Sequence, residues 1–482
     1  MSSSLKDKTV KGVFWSAFDK FSTQGIQFVF SILIARLLLP SDYGVIAMLG
    51  IFMAVSQTFI DCGFTTALVR KLDRTQSDFS TVFYFNIVVA IIAYSGLWFA
   101  SPYIASFYNI PLLESVTKVV GLNLIISAVS GVQGAHLTIN IDFKKKAKLS
   151  VSANFCSGAV GLFMAYNGYG VWALVFQTLC ANTLYSMLLW LFVRWLPTLT
   201  FSWKSFKEFF SFGSKMLASG LLDTIYNNVY TIVIGKCFSA TSLGVYSRAD
   251  TLAQYPSSNI TGVLQTVTFP VLSKIQNEEY RMADVYKRFI RMSAFVVFPL
   301  MVGLAAVADP FIRIVLTDKW EGAIYLLQVI CFGLMWYPIH AINLNLLMVK
   351  GRSDYFLKLE IYKKILGVAI LCVTIPLGLV AMCYGRVFSS VVCLGLNTYY
   401  TNKLIGYGFW KQMKDLLPIL LQSLSMGILV FLVVNQISSL SAQLFFGIVV
   451  GALYYIVSSY FLKFKELQVI LEIISRKKNK NN

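Results

Sequence analysis

The chain carries an internal repeat at an offset of 200 residues. Residues 32–45 read ILIARLLLPSDYGV and residues 232–245 read IVIGKCFSATSLGV, with two Ile, one Gly and one Val identical. Each copy lies where one long apolar segment ends and the next begins, so the repeated unit is a set of membrane helices rather than a soluble motif. Such a repeat favours a transporter over an enzyme.

The composition requires lipid as the solvent. Of the 482 residues, 57% are hydrophobic and only 13% are charged, which is too apolar for a soluble protein of this size. The first eleven residues, MSSSLKDKTVK, are polar and basic, and no cleavage site follows them, so we expect them to be retained. The eight cysteines occur singly without C-x-x-C spacing. We therefore expect no metal and no cofactor.

Fourteen segments qualify as membrane-spanning helices, because about 20 apolar residues cross a hydrocarbon layer of about 30 Å. They lie near residues 13–37, 43–65, 80–103, 117–138, 149–167, 170–193, 208–235, 243–272, 289–308, 323–347, 359–377, 380–402, 416–434 and 444–462. The predicted fold is an all-α integral membrane protein with about 14 transmembrane helices.

The basic residues distinguish the two sides of the membrane. When alternate loops are assigned inward, 32 of the 41 Lys and Arg residues fall at the termini and in the inward loops. The positive-inside rule then predicts that both termini are cytoplasmic. Anionic inner-leaflet lipid explains the net charge of +19, so we expect no nucleic-acid partner.

Six spans separate the two repeat copies, so both copies run in the same direction through the membrane. We therefore predict two pseudo-symmetric six-helix lobes, at residues 1–195 and 208–403, related by an axis along the membrane normal. An amphipathic cytoplasmic linker of alternating aromatic and basic residues joins them at 196–207. Residues 404–482 hold two additional helices and a basic cytoplasmic tail.

Three predicted spans carry polar residues along one face. A spacing of three or four residues puts these side chains on one side of a helix, where they cannot face lipid. The stripe of span one consists of Ser16, Lys20, Gln24, Gln27 and Ser31. The stripes of spans seven and eight consist of Lys215, Ser219, Asp223, Asn227 and Tyr230, and of Asp250, Gln254, Ser257, Thr261 and Gln265.

Charged side chains at membrane depth cost about 2.5–3.5 kcal/mol each on insertion scales, so they face a water-filled cavity or one another. Lys215 and Arg248 are the preferred candidates for binding an anion, with Lys20 and Arg386 as further candidates. The competing interpretation is that such residues form ion pairs between helices. Asp19 with Lys20 is the clearest case, because a lysine near the inner end of a span can reach the interface.

Ion coupling, to H⁺ or Na⁺, would use a carboxylate inside the membrane. Asp223 lies closest to mid-membrane and is the leading candidate for H⁺, because a desolvated carboxylate takes up a proton most readily. Asp250 and Asp19 are the other candidates. His340 with Asn343 is either a proton relay or a hydrogen-bonded core histidine, and we prefer the second interpretation.

Six motifs resemble those of a known family. They are GVFWSAFDKF from Gly12, IARLLLPSDYGV from Ile34, FIDCGF from Phe59, GYGVWALV from Gly168, GVYSRAD from Gly244 and PSSNITGVLQTVTFPVLS from Pro256. The chain resembles the bacterial Wzx-type polysaccharide transporters, and more narrowly the colanic-acid-exporter-like branch of these lipopolysaccharide biosynthesis flippases in the MOP superfamily. One departure is Asp250, which stands where an aromatic residue is more usual and would neutralise Arg248.

The resemblance implies a MATE-like pair of lobes around a central cavity. Its cargo would be an undecaprenyl-diphosphate-linked oligosaccharide, moved from the cytoplasmic to the periplasmic leaflet by alternating access, for O-antigen, capsule or exopolysaccharide. Lys20, Lys215 and Arg248 would hold the diphosphate. The sugar-contacting residues would be Gln24, Gln27, Tyr226, Asn227, Tyr230, Tyr255 and Asn259. Polysaccharide polymerase and chain-length proteins would be its partners.

Two other functions stay open. A multidrug or toxin cation antiporter of the MATE type has twelve spans and an acidic cavity, whereas this chain has two more spans and basic cavity candidates. A membrane polysaccharide polymerase or ligase would carry a long periplasmic loop, but the longest outer loop here is only 309–322. No P-loop is present, so we expect no ATP hydrolysis by this chain.

Overall fold

The computed structural model describes residues 3–61 and 63–481, and every regular element in these ranges is helical. The α-helices are α1 (Ser3–Leu37), α2 (Pro40–Asp61), α3 (Phe64–Arg70), α4 (Gln76–Tyr108), α5 (Leu112–Ile139), α6 (Phe143–Tyr166), α7 (Val171–Val193), α8 (Trp203–Cys237), α9 (Ala240–Lys274), α10 (Glu279–Ala306), α11 (Ala308–Leu316), α12 (Gly322–Leu334), α13 (Tyr337–Val349), α14 (Ser353–Thr374), α15 (Leu379–Ile405), α16 (Phe409–Asn435), α17 (Leu440–Phe461) and α18 (Lys465–Asn481). Short 3₁₀ helices span Asp318–Trp320 and Ile375–Leu377. The predicted all-α class is confirmed.

Ten helical segments within the described residues are long and apolar enough to cross a membrane. They coincide with ten of the fourteen predicted spans. The other four predicted spans fall on α1, α8, α9 and α14, whose polar and charged residues lower their mean hydropathy. The ten segments support a multi-pass membrane protein, and the count of fourteen stays a prediction.

The chain divides into two compact units, Met1–Gly244 and Val245–Asn482, termed here the N-unit and the C-unit. Helix α8 packs in the N-unit, against α2, α3 and α4. The predicted lobes at residues 1–195 and 208–403 follow the repeat rather than the packing, so this division stays a prediction.

The repeat reappears in the helix boundaries. Helices α1 and α8 have 35 residues each and end at Leu37 and Cys237. Helices α2 and α9 begin at Pro40 and Ala240, at the same offset of 200 residues. Proline suits this first position because its fixed φ angle matches the helix and its missing N–H needs no partner there. The sequence repeat is therefore a repeat of two helices and the sharp corner between them.

The two copies of this corner contact each other within the N-unit. A Cβ atom on Gly44 would lie 1.8 Å from the carbonyl oxygen of Ala240, and one on Gly244 would lie 1.8 Å from that of Pro40. These distances are far shorter than van der Waals contact, so only glycine allows the backbones to approach so closely. The close approach explains why glycine occupies both equivalent positions.

Aromatic side chains hold the first turns of α8 in the N-unit. Phe64 of α3 stacks on Phe85 of α4 with 4.1 Å between ring centroids. The ring of Phe64 also lies 5.9 Å from Phe206 and 6.1 Å from Phe209, both on α8. Such pairs contribute about 0.5–1.5 kcal/mol each beyond the burial of their area. Phe206 and Phe209 thus pack inward on α3, whereas Trp203 is 67% exposed.

Residues 196–202, the first part of the predicted linker, are non-helical and lie along the start of α4. The buried hydroxyl of Ser80 accepts a hydrogen bond from the Thr198 N–H at 3.0 Å. The buried hydroxyl of Thr81 accepts one from the Ser202 N–H at 3.0 Å. Helix α8 begins at Trp203, so the remainder of the predicted linker is the first turn of this helix.

The two additional C-terminal helices pack directly on α10 in the C-unit. Gly427 of α16 allows α10 to come close, because a Cβ atom there would lie 2.4 Å from Cγ1 of Val302. Helix α17 is joined to α16 by Gln422, whose Nε2 donates to the Ser459 hydroxyl at 2.7 Å. Tyr455 of α17 donates to the carbonyl oxygen of Phe295 in α10 at 2.9 Å. Together these three helices form one packed layer of the C-unit.

Candidate functional site

The polar stripe of α1 lies partly against α6. Gln27 Nε2 donates to Asn154 Oδ1 at 2.8 Å, and Thr23 Oγ1 lies 3.2 Å from Ser150 Oγ. Sequence reasoning missed Ser150 and Asn154, although their spacing of four residues is the same signal that marks the stripe of α1. The polar face is therefore built by two helices.

Other groups of this stripe differ in exposure. Lys20 is exposed, and Gln24 is half-buried. The Oε1 atom of Gln24 is buried, and the described part of the chain offers it no hydrogen-bond donor. An unsatisfied buried oxygen is costly unless water or a ligand donates to it. Asp19 accepts a hydrogen bond from Thr23 Oγ1 at 3.3 Å, a partner that the sequence did not suggest.

The stripe of α8 is oriented by a contact with α2. Thr224 Oγ1 lies 3.0 Å from Thr58 Oγ1, and Asp223 and Asn227 are exposed. The half-buried aromatic members are Tyr226 and Tyr230. The side chain of Lys215 lies outside the described residues. The N-unit thus holds nine of the predicted site residues on α1 and α8.

In the C-unit, the predicted candidates Asp250 and Arg386 bind each other. Arg386 Nη1 donates to Asp250 Oδ1 at 2.6 Å and to the Tyr246 hydroxyl at 2.9 Å. Gln254 also donates to Asp250. The sequence suggested that Asp250 neutralises Arg248, but side chains two residues apart on a helix do not face each other. The carboxylate of Asp250 instead joins α9 to α15 through Arg386.

Arg248 is buried on α9, with 6% of its surface exposed. Tyr255 and Asn259 follow on the same helix and are half-buried. A cation at this depth is maintained only by neighbouring polar groups or by a bound anion. Arg248 therefore remains a candidate for binding an anionic ligand.

His340 lies in a hydrogen-bonded network of the C-unit. Its Nε2 atom lies 3.1 Å from Ser390 Oγ, and its Nδ1 atom lies 2.9 Å from Asn397 Nδ2. Both ring nitrogens are thus engaged with α15. This arrangement agrees with the preferred interpretation of a core histidine rather than a proton relay.

The N-unit also contains a cavity of about 500 Å³ between α2, α5 and α7, which sequence reasoning missed. Asn182 Nδ2 donates to Asn123 Oδ1 at 2.7 Å, and the Ser127 hydroxyl donates to Gln57 Oε1 at 3.2 Å. The sequence signal that could have indicated this cavity is the isolated amide side chains within otherwise apolar helices. Within each pair, the two side chains satisfy one another's hydrogen bonding across two helices. Both pairs are therefore explained as packing contacts between helices.

Comparison with known proteins gives a family. A family model described as "Polysaccharide biosynthesis protein" matches residues 33–325. The teichuronic acid biosynthesis protein TuaB of Bacillus subtilis is 26% identical over 353 residues, which are 73% of each chain. The lipopolysaccharide biosynthesis protein WzxC of Escherichia coli is 23% identical over 75% of this chain and 74% of its own. The succinoglycan biosynthesis transport protein ExoT of Rhizobium meliloti is 24% identical over 67% and 66%.

Two solved structures have the same fold. The lipid II flippase MurJ, in an inward closed conformation, aligns with a TM-score of 0.77 over 94% of this chain and 99% of its own, at 14% identity. An inward-facing multidrug resistance MATE family transporter of the MOP superfamily aligns with a TM-score of 0.63 over 83% of this chain and 98% of its own, at 14% identity. Identities this low show the fold alone.

The predicted resemblance to Wzx-type polysaccharide transporters is confirmed by the family model and by the match to WzxC. Among these relatives ExoT is named as a transport protein, so the polymerase or ligase alternative is dropped. Since the family model covers more than half of the sequence, the chain belongs to the polysaccharide biosynthesis protein family.

Proposed function

We propose that the chain is a flippase for an undecaprenyl-diphosphate-linked oligosaccharide, which it moves from the cytoplasmic to the periplasmic leaflet by alternating access. The observation that carries the proposal is the match to relatives named for lipopolysaccharide biosynthesis and for succinoglycan transport. A drug antiporter is the weaker alternative, because the matched family model is described by polysaccharide biosynthesis. TuaB, WzxC and ExoT are named for polysaccharide biosynthesis, which supports a surface polysaccharide as the destination.

The chain would cross the bacterial cytoplasmic membrane fourteen times, as two six-helix lobes and two additional helices, with both termini in the cytoplasm. Four predicted spans, on α1, α8, α9 and α14, are less apolar than the other ten, and the polar stripes on three of them explain why. Helices α1, α8 and α9 carry the polar stripes, and a helix that faces water on one side needs less apolar surface than one surrounded by lipid.

The cargo would be held by cations at its diphosphate and by amides at its sugars. Lys20, Lys215 and Arg248 would bind the diphosphate through charge-assisted hydrogen bonds. A sugar hydroxyl would donate to the Oε1 atom of Gln24, which the described part of the chain leaves unsatisfied. The other sugar contacts would come from Gln27, Tyr226, Asn227, Tyr230, Tyr255 and Asn259.

Coupling to H⁺ would use Asp223, which is exposed on α8. Asp19 is the second candidate. Arg386 and Asp250 would act as a structural pair, because they already bind each other. Polysaccharide polymerase and chain-length proteins would receive the translocated unit on the periplasmic side.

The test is the location of lipid-linked oligosaccharide in cells that lack this chain. Extracted lipid is analysed by mass spectrometry, and a membrane-impermeant glycosidase or lectin reports which leaflet holds the sugar. We expect accumulation on the cytoplasmic face, reversed by the wild-type gene. Unchanged lipid together with greater sensitivity to cationic drugs would overturn the flippase proposal in favour of the antiporter.

A further inference from the structure

A groove with a volume of about 1170 Å³ lies in the C-unit between α10, α16, α17 and α18. Its volume exceeds the usual range for a small-molecule pocket, which is about 300–1000 Å³. The groove is remote in sequence from the stripes of α1, α8 and α9. None of the proposed cargo residues lines it.

The lining is basic at one end. It includes five basic side chains and two acidic ones, and Lys287 also pairs with Asp415 outside the lining, which leaves an excess of two positive charges. The basic residues are Lys287, Arg288, Arg291, Lys463 and Lys465, and the acidic ones are Asp284 and Glu466. All five basic residues belong to segments that the positive-inside rule assigns to the cytoplasmic surface. The excess charge therefore points to an anionic occupant from that side.

Some of these charges already have partners that fix the walls of the groove. Arg291 of α10 donates to both carboxylate oxygens of Glu466, which joins α18 to α10. Lys287 Nζ lies 2.8 Å from Asp415 Oδ1, and Arg288 Nη2 lies 2.8 Å from an oxygen of its helix neighbour Asp284. The Glu466 side chain is nearly buried. These ion pairs thus hold the side chains around the groove in place, and a ligand can bind in the groove without breaking them.

Lys463 and Lys465 differ from the other cations of the groove. They lie at the bend between α17 and α18, where Lys463 has a φ angle of 53°. Both are exposed, and neither has an ion-pair partner among the described residues. Two ammonium groups that line the same groove suit the phosphate of a ligand.

The remaining lining is apolar and open. Leu421 is 57% exposed, Leu462 is 62% exposed and Val469 is 43% exposed. Leu421 lies on α16 and Leu462 directly follows α17, and both helices are among the apolar segments able to cross a membrane, so these two side chains would meet lipid tails. A soluble phosphate compound would leave these side chains uncovered, whereas an amphiphile would cover them and meet the lysines together.

We propose that this groove binds an anionic phospholipid of the inner leaflet, with its phosphate at Lys463 and Lys465 and its acyl chains along Leu421, Leu462 and Val469. Inner leaflets are rich in such lipids, and each basic residue near the surface contributes about 1 kcal/mol to their binding. The bound lipid would cover the joint between α17 and α18. This site is separate from the proposed cargo path, so it does not depend on the identity of the cargo.

The experiment uses the purified full-length protein in detergent and native mass spectrometry with added lipid. Phosphatidylglycerol is compared with phosphatidylcholine, which has no net charge, and with inorganic phosphate as a competitor. We expect saturable binding of phosphatidylglycerol in preference to phosphatidylcholine. Equal retention of the two lipids, or displacement of phosphatidylglycerol by millimolar phosphate, would overturn the proposal.

Two variants locate the site. The double change Lys463→Gln and Lys465→Gln is expected to weaken phosphatidylglycerol binding about 30-fold, from the loss of two surface charges. The matched control is Lys204→Gln with Lys207→Gln, which removes two exposed charges from the start of α8 and is expected to leave binding unchanged. Unchanged binding in the first variant, or an equal loss in the control, contradicts the assignment.

A third variant tests the apolar wall. Leu421→Trp fills the groove while both lysines stay in place, so it is expected to reduce retention of the diacyl lipid without lowering the unfolding temperature of lipid-free protein. Full retention of phosphatidylglycerol by this variant would show that the acyl chains lie elsewhere and would overturn the proposed binding mode.

Discussion

Arg386 and Asp250 form an ion pair between α15 and α9, with 2.6 Å between Nη1 and Oδ1. The two side chains are 30% and 18% exposed, so water screens the pair only in part. Arg386 also donates to the Tyr246 hydroxyl. The pair therefore gives the C-unit a fixed polar contact between helices that are far apart in sequence.

Breaking this pair is expected to reduce stability. Arg386→Leu should lower the free energy of unfolding by about 1–3 kcal/mol, because Asp250 loses a charged donor. Asp250→Leu should have a similar effect, and the double variant should lose less than the sum of the two. The measurement is the thermal unfolding of purified protein, with Arg281→Leu as the control, since the Arg281 and Glu278 side chains are 66% and 52% exposed. Additive losses would show that the two residues act independently.

The glycines of the repeated corner should not tolerate a side chain. Gly44→Ala and Gly244→Ala are each expected to lower the unfolding temperature, with a cost of about 1–3 kcal/mol or more from the forced backbone shift. Gly50→Ala on the same helix α2 is the control, because a Cβ atom there meets no atom within 4 Å. It should be neutral or raise stability by about 0.4–1 kcal/mol. Equal behaviour of Gly44→Ala and Gly50→Ala would contradict the close approach.

Removal of the cation on α8 tests the cargo site. If Lys215 binds the diphosphate, Lys215→Ala should abolish polysaccharide export while the protein stays in the membrane at normal abundance. Lys207→Ala, on the exposed first turns of the same helix, should export normally. Export is measured as surface polysaccharide in a deletion strain that expresses each variant. Normal export by Lys215→Ala would remove this residue from the diphosphate site.

Asp223 can be tested for ion coupling. Asp223→Asn keeps the shape and size of the side chain, but the amide cannot take up and release a proton as a carboxylate does. The variant should therefore lose the dependence of transport on a pH gradient. The assay follows translocation of labelled lipid-linked sugar in vesicles with and without an imposed gradient. Asp73→Asn, in the exposed connection between α3 and α4, serves as the control. A gradient dependence like that of the wild type would exclude Asp223 as the coupling residue.

Hydropathy and periodicity predicted most of the helices because each depends on local sequence alone. The ten apolar segments needed only length and composition, and the predicted spans 13–37 and 208–235 end within two residues of the observed ends of α1 and α8, Leu37 and Cys237. The same local pattern does not say which helix covers a polar face. Gln27 meets Asn154 across 127 residues of chain, and Arg386 meets Asp250 across 136. These pairings depend on tertiary packing, which one sequence without relatives does not specify.

The first turns of α8 show the same limit. The alternating aromatic and basic residues before Gly213 predicted a surface linker, and the basic residues Lys204 and Lys207 are indeed exposed. Phe209 is buried against Phe64, a partner on α3 that amphipathicity alone could not identify. Amphipathic patterning indicates that one face of a helix is covered. The pattern is the same whether lipid or protein covers that face.

The contact between Gly44 and Gly244 is reciprocal, since each copy of the corner presents its glycine to the first residue of the helix in the other copy. A surface that binds a copy of itself in this way is isologous, the arrangement found in two-fold symmetric dimers. Two separate chains that each carried one corner would have the surface needed to make the same contact. The tandem repeat therefore holds both partners of this reciprocal contact within a single polypeptide.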